Sequence, residues 1–291
     1  MLVTGASGFV GRHLVTQLEH SGWIVRRSPR RELASETTHR DALQGAQAVV
    51  HLAALAHGRA LAFERTRDYE SLRRVNVEGT ERLAREAAGA GVRHFLFLSS
   101  IGVCGDETLG APLTEESPPA PRSLYARSKL EAEQVLAAIS GLGLTVLRPT
   151  LVYGPQNGGN MLRLLQAIHG RLPLPLGAVQ NRRNLTYIGN LTSAIAAALQ
   201  RGPAGTLLIC DAQAVSTPEL IVALARGMGR RALLFPVPPP LLNFLRGSDT
   251  VRRLTGSLEA DCRKAQRVLG WTPEVSASDG LARTGAWFAS Q

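Results

Sequence analysis

The sequence contains no apolar run of the roughly 18 residues a membrane-crossing helix needs. Its first residues, Met1-Leu2-Val3-Thr4, have neither the basic stretch nor the apolar core of a secretory leader. These absences predict a cytoplasmic chain with no integral membrane segment. Cysteine is scarce: Cys104, Cys210 and Cys262 are scattered without metal-ligand spacing, so reduced thiols and no metal site are expected. Aromatic residues make up 5%, with no patch where they interleave with basic residues and no nucleic-acid-binding motif. The net charge of +10 is therefore read as a solvated basic surface around sites for anionic small molecules, not as a nucleic-acid partner. Internal repeats and long low-complexity tracts are also missing.

What is present suits an α/β protein of two lobes: 291 residues, 44% of them hydrophobic. Leu2-Val3 reads as a strand, short by a residue or two, running into Thr4-Gly5-Ala6-Ser7-Gly8-Phe9-Val10-Gly11. A helix follows, with Val10, Leu14 and Leu18 on one face. Strand, glycine-rich turn and helix form the phosphate-binding entry of a Rossmann unit, where backbone approaches a pyrophosphate at the positive helix N-terminus. Gly5, Gly8 and Gly11, with Ser7, Phe9 and Val10 between them, are the predicted cofactor contacts.

The second strand, Trp23 to Arg27, leads into Arg26-Arg27-Ser28-Pro29-Arg30-Arg31, with no acid before Glu32. An NAD-specific site wants a carboxylate there for the ribose 2′-hydroxyl, which would repel a 2′-phosphate. Arg26, Arg27 and Ser28 instead favour NADP(H), with NAD(H) possible; the alternative is that these arginines only face water. The strand from Ala48 ends in small residues that let a cofactor pass close, giving Leu52, Ala53 and Ala54 as contacts. His51 within that strand is expected to be a hydrogen-bonded core histidine.

A helix from about Tyr69 to Ala90 carries Asn76, and the strand Phe95 to Leu98 ends at Ser99-Ser100, where open α/β sheets bind ligands. Tyr125 and Lys129 stand one turn apart on one helix face. The ammonium is expected to lower the phenol pKa and make Tyr125 a usable acid or base. The strand Leu144 to Pro149 closes the regular alternation, with Pro149 a further cofactor contact. Beyond it, a helix from about Gly189 to Gln200 returns to cover the sheet, and the apolar stretch Leu233 to Leu245, broken by four prolines, reads as the buried side of a small lobe. The predicted fold is a doubly wound parallel sheet with a smaller, interleaved α/β C-terminal lobe. Residues 1–150 and about 184–202 are assigned to the dinucleotide-binding domain, 151–183 and 203–291 to the substrate lobe.

The motifs TGASGFVG, HLAA, VNVEGT, FLSS, YARSK, LRPTLVYGP and, near the C-terminus, LGW occur in an order that resembles the extended short-chain dehydrogenase/reductase family of nucleotide-sugar epimerases, dehydratases and ketoreductases. The resemblance implies Ser100, 25 residues before Tyr125, as the catalytic serine, Tyr125 as the acid/base, and Lys129 as the residue that holds the nicotinamide ribose. It implies Asn76 near the cofactor, and Asn160, Leu176 and Arg183 on the nucleotide-sugar, with Arg182 as the neighbouring candidate for the diphosphate. Asp41 is the nearest candidate for an adenine contact. Dehydratases and decarboxylases resembling this family place acids just after the catalytic Ser or Thr; here Ile101-Gly102 follows, and neither moves a proton. The segment Leu172 to Asn184 is similar to reductases of O-antigen synthesis. The resemblance therefore implies a 4-ketoreductase of a UDP-2-acetamido-2,6-dideoxy-4-hexulose; the alternative is a UDP-sugar 4-epimerase with tightly held NAD. A homodimer is the implied assembly.

Overall fold

Side-chain alternation along short parallel strands lays out the molecule. A computed structural model describes residues 1–28, 38–55, 69–238, 241, 252 and 254–291. Five strands come first: β1 (Leu2–Thr4), β2 (Arg26–Arg27), β3 (Ala48–His51), β4 (His94–Leu98) and β5 (Gly143–Pro149). After β6 (Leu151–Tyr153) and β7 (Leu185–Tyr187) comes β8 (Gly205–Ile209). The six-stranded parallel sheet runs β2-β1-β3-β4-β5-β8, and β6 pairs with β7 in a separate two-stranded sheet.

Consecutive strand residues face opposite sides. Leu2, Val49, Phe95, Phe97 and Val146 therefore enter one core, and Val3, Val50, Leu96, Leu147 and Leu207 the other. A parallel sheet buried on both faces needs such continuous apolar strands. The first core is covered by α2 (Arg40–Leu43), by α4 (Gly79–Gly89) through Leu83, Ala84 and Ala87, and by α5 (Leu124–Ala137) through Ala132 and Leu136. The chain reaches α4 from α3 (Tyr69–Arg73) through one wide π-helical turn, Arg74–Glu78. The second core is covered by α1 (Phe9–His20) through Leu14, Val15 and Leu18, and by α7 (Ile188–Arg201), the helix expected to return to the sheet. α9 (Arg263–Leu269) completes it with Ala265 and Leu269.

The sequence boundary leaves residues 203–210 in the smaller lobe. Gly205–Ile209 is instead hydrogen-bonded along β5 as the sixth strand, because Leu207 and Ile209 complete the α7 side of the sheet. A third core gathers Tyr153, Leu165, Tyr187, Ile221, Leu224 and Leu281 from β6, β7, α6 (Gly159–His169), α8 (Thr217–Gly227) and α10 (Ala277–Ala289), with Leu176 from the turn between α6 and β7. α8 and α10 cross so closely that a Cβ on Gly227 or Gly285 would strike the backbone of the other helix. Of the apolar stretch 233–245 expected to be buried here, Leu234 and Val237 pack on this core, Leu233, Phe235 and Leu241 are exposed, and residues 239, 240 and 242–245 lie outside the described residues. The cause is local: Leu234 bridges Leu174 as a short strand, so its neighbours point outward.

Two lobes meet at Asp211, just past β8. Its carboxylate accepts from the Tyr187 amide (2.9 and 3.1 Å), Asn190 (2.8 Å) and the Tyr153 hydroxyl (3.0 Å). Burial raises the Asp211 pKa, and those donors pull it back. The preceding residue corrects the expectation of three reduced cysteines: Cys210 is disulfide-bonded to Cys262, which stands just before α9, and Cys104 is the free thiol. Fifty-two positions separate the bonded pair, a proximity that spacing along the chain could not reveal. No helix among the described residues is long and apolar enough to cross a membrane.

Candidate active site

The glycine loop is shaped by close approach. Gly5 has φ +67°, and a Cβ there would lie 2.7 Å from the Ala53 amide nitrogen. A Cβ on Gly11 would strike the Gly5 carbonyl, which already accepts the Gly8 amide at 2.9 Å. α1 begins at Gly8 with no side-chain cap and no acid in its first turn. Ser7 and Gly8 are exposed, while Phe9 and Val10 are half-buried against the smaller lobe's core. An anion at this helix end meets backbone amides and a positive dipole, so the loop fits a dinucleotide pyrophosphate.

Beyond β3, Leu52, Ala53 and Ala54 are half-buried beside the loop, and the Ala53 amide donates to Thr4 Oγ1 (3.3 Å). Asn76 holds this segment: Leu55 N donates to its Oδ1 (2.8 Å), and its Nδ2 donates to Leu55 O (3.2 Å) and Ser128 Oγ (3.0 Å). Asn76 sits in the π-helical turn, an irregularity that often marks functional positions. It ties the cofactor-side segment to the Tyr–Lys helix. His51 is a satisfied core histidine, bonded to Thr4 Oγ1 (2.7 Å) and Thr80 Oγ1 (2.8 Å). Burial holds its pKa well below the usual value, with Lys129 and His39 adding to the shift. Pro149 is buried at the end of β5 beside Ile209.

Ser123 caps α5 by accepting the Ala126 amide (3.1 Å), which sets the first turn from which Tyr125 and Lys129 project. Lys129 is buried; its Nζ donates to Leu98 O (2.8 Å), 4.4 Å from the Phe97 ring centroid and 5.9 Å from that of Tyr125. Ser100 starts the short turn 101–103, its Oγ accepting the Gly102 amide (3.1 Å). Ser100 thus follows the strand end that Lys129 pins, and Lys129 lies beside the Tyr125 ring on α5. The expectation that Lys129 lowers the Tyr125 pKa is not met. Burial pushes the half-buried phenol up to about 12 and the Lys129 amine down to about 7, with Glu133 opposing the second shift. Desolvation outweighs a neighbour whose own charge is costly to bury.

Two residues absent from the sequence reading, Glu133 and Arg148, underlie this corner together with Ser99 and Cys104. Ser99 Oγ donates to Glu133 Oε1. Arg148 grips the same carboxylate through Nε (3.0 Å) and Nη2 (2.5 Å) and donates from Nη1 to Cys104 Sγ (3.2 Å). The signals were there: Glu133 is four residues past Lys129, and Arg148 is a charge inside an apolar strand.

The second-strand arginines are engaged. Arg27 donates from Nη2 to both carboxylate oxygens of Glu19 (2.7 and 2.9 Å), and Arg26 donates to the carbonyls of Ala42 (3.4 Å) and Gln44. Ser28 is buried, its amide donating to Val3 O (3.0 Å). Arg27 also lines a cleft of about 540 Å³ with Ala6, Arg12, His13, Thr16 and Gln156. Arg30, Arg31 and Glu32 lie outside the described residues. Asp41 is exposed in the first turn of α2.

On the substrate side, Asn160 is exposed at the start of α6. Arg182 pairs with Glu259 (3.1 Å), and Arg183 donates to Gly256 O (2.8 Å) while its backbone bridges Val215. Residues 256–261 lace this segment to the loop after Ser100, through Leu258 N to Arg182 O and Leu113 N to Glu259 O. Leu176, expected on the sugar, is 7% exposed and packs in the lobe core with Val179 and Leu165.

Known proteins agree with this geometry. The model of the NAD dependent epimerase/dehydratase family matches residues 1–210. A UDP-glucose 4-epimerase of Vibrio cholerae is 34% identical over 313 residues, covering 99% of this chain and 95% of that protein. A 4-hydroxy-2-methyl-3-oxo-4-farnesyl-3,4-dihydroquinoline-1-oxide ketoreductase of Stigmatella aurantiaca is 28% identical, covering 81% of this chain and 75% of that protein. The solved structure of MoeE5 in complex with UDP-glucuronic acid and NAD superposes with a TM-score of 0.80 at 30% identity, covering 99% of this chain and 98% of that one. A match spanning the glycine loop, the serine corner and the Tyr–Lys helix means that the chain belongs to the NAD-dependent epimerase/dehydratase family, the extended short-chain dehydrogenases/reductases.

Proposed function

We propose that the protein is a nucleotide-sugar 4-ketoreductase acting on a UDP-2-acetamido-2,6-dideoxy-4-hexulose, a precursor for O-antigen or similar polysaccharide. The observation that carries the reading is the corner itself: Ser100, Tyr125 and Lys129 beside Ile101 and Gly102, which hold no acid or base for elimination. The nicotinamide supplies the hydride when bound. The glycine loop would hold its pyrophosphate, Lys129 its ribose, and Asn76 the segment 52–55 beside it. Tyr125 then gives its phenolic proton to the sugar O4, a role suited to a phenol that burial keeps protonated at neutral pH. Ser100 steadies the developing alkoxide, and Arg182 or Arg183 grips the diphosphate. Arg27 and Arg12 on one cleft favour NADPH, since an exposed arginine–glutamate pair is easily exchanged for a phosphate.

A second reading, a UDP-sugar 4-epimerase retaining NAD, is favoured by the Vibrio cholerae relative. Purified protein should be assayed for carried-over cofactor and then titrated with NADPH and NADH by nicotinamide fluorescence. Protein that arrives empty and binds NADPH at least about tenfold tighter, a gap of about 1.4 kcal/mol, supports the reductase. Protein that arrives loaded with NAD and interconverts UDP-GlcNAc and UDP-GalNAc without added cofactor overturns it.

A further inference from the structure

The end of β4 is pinned to α5 at two successive residues. Leu98 O receives the Lys129 amine, and Ser99 Oγ donates to Glu133 one turn further along the same helix. Ser100 follows immediately, so the two bonds set where its hydroxyl stands relative to Tyr125. Glu133 is itself clamped from β5 by both forks of Arg148. These groups are buried: Lys129 is 1% exposed, Arg148 7% and Glu133 8%. A carboxylate this dry is expensive unless paired, and its partner here arrives from the strand beside β4.

We infer that Glu133, clamped by Arg148 and Ser99, is a positioning residue that holds an anion one helical turn from the buried Lys129 and fixes the corner from which Ser100 and Tyr125 act. The titratable groups facing Lys129 support this. On its own helix are Tyr125 and Glu133, and from β3 comes His51; Arg148 on β5 clamps Glu133 and donates to Cys104. Burial keeps His51 neutral and raises the Tyr125 phenol and the Cys104 thiol, so none of the three carries charge near pH 7. Glu133 is the anion that counters the ammonium, and Arg148 is the cation that draws part of that counter-charge away. Removing each should therefore move the lysine in opposite senses. Loss of packing alone would move both variants the same way.

The chain has two lysines, Lys129 and Lys264, so the first can be followed by ¹³C-lysine NMR with the second as an internal reference. Lys264 is on α9, near Glu116, away from this corner. In cofactor-free protein, Glu133→Gln should lower the Lys129 titration midpoint by about one pH unit, and Arg148→Gln should raise it, with Lys264 unchanged. The alkaline limb of kcat/KM should follow the same two directions. A common direction in both variants, or a Lys129 midpoint that stays put while kcat falls equally at every pH, overturns the inference. If Glu133→Gln does not fold, Arg148→Gln decides alone: an upward shift supports it, and no shift or a downward one overturns it. Because the titration uses no substrate, its failure is separable from failure of the ketoreductase reading.

Discussion

Two arginine–carboxylate pairs, Arg27–Glu19 and Arg148–Glu133, share their chemistry and have opposite consequences; Arg27 reaches both oxygens from Nη2 alone, whereas Arg148 sets Nε and Nη2 on separate oxygens. The side chains of the first are 59% and 43% exposed; those of the second are both 8% exposed. In water the pair gains little from Coulomb attraction and loses side-chain freedom, so it is worth about 0–1 kcal/mol and can be traded for a ligand phosphate. In the interior the same pair has already lost its hydration, so removing one partner strands a charge. Guanidinium chemistry at the end of β2 is available for binding, whereas beneath α5 it is committed to holding a helix against a strand.

The largest effect should come from breaking the buried pair. Arg148→Met leaves Glu133 without its clamp and should cost about 3–5 kcal/mol in urea unfolding, whereas Arg27→Met should stay within about 0.5 kcal/mol. Equal losses would show that burial is not what separates the two. Next, Tyr125→Phe preserves the packing of the buried corner and removes its proton. It should lower kcat by about 10² or more with nicotinamide binding intact, and near-full turnover would refute the mechanism. A smaller effect is expected at the exposed site: Arg27→Ala should weaken NADPH roughly tenfold, about 1.4 kcal/mol, and leave NADH unchanged. Parallel losses for both cofactors would remove Arg27 from the 2′-phosphate.

The buried corner also has a pH signature of known sign. Lys129 titrates near 7 when folded against 10.5 for an ordinary lysine, so the unfolded chain binds a proton in that window that the folded chain refuses. Its contribution to stability is therefore complete above about 10.5 and is lost as pH falls towards 7. Tyr125 runs the other way, its contribution present below pH 10 and lost as pH rises towards about 12. Urea melts from pH 7 to 9 should show stability climbing in the native protein and a flatter profile in Lys129→Met. A Lys129→Met slope as steep as the native one would assign the dependence to other groups.

Much of the catalytic corner was legible because its signals are local. Glycine spacing, a serine pair ending a strand and a four-residue Tyr–Lys interval each depend on a few neighbouring residues. The Glu133–Arg148 clamp was less legible, since its partners are 15 residues apart on different elements and meet only once β5 lies beside β4.

By itself the chain determined the parallel sheet, through apolar strands too dry to face water on either side, and the loop at Gly5 to Gly11, through residues small enough for backbone to approach backbone. Tertiary structure alone decided what depends on which distant groups are brought together and how dry they become. It joined Cys210 to Cys262 and moved Gly205–Ile209 from the smaller lobe into the sheet. It also reversed the expected effect on Tyr125, because the cost of burying a charge is set by the surrounding fold and not by the neighbour four residues away.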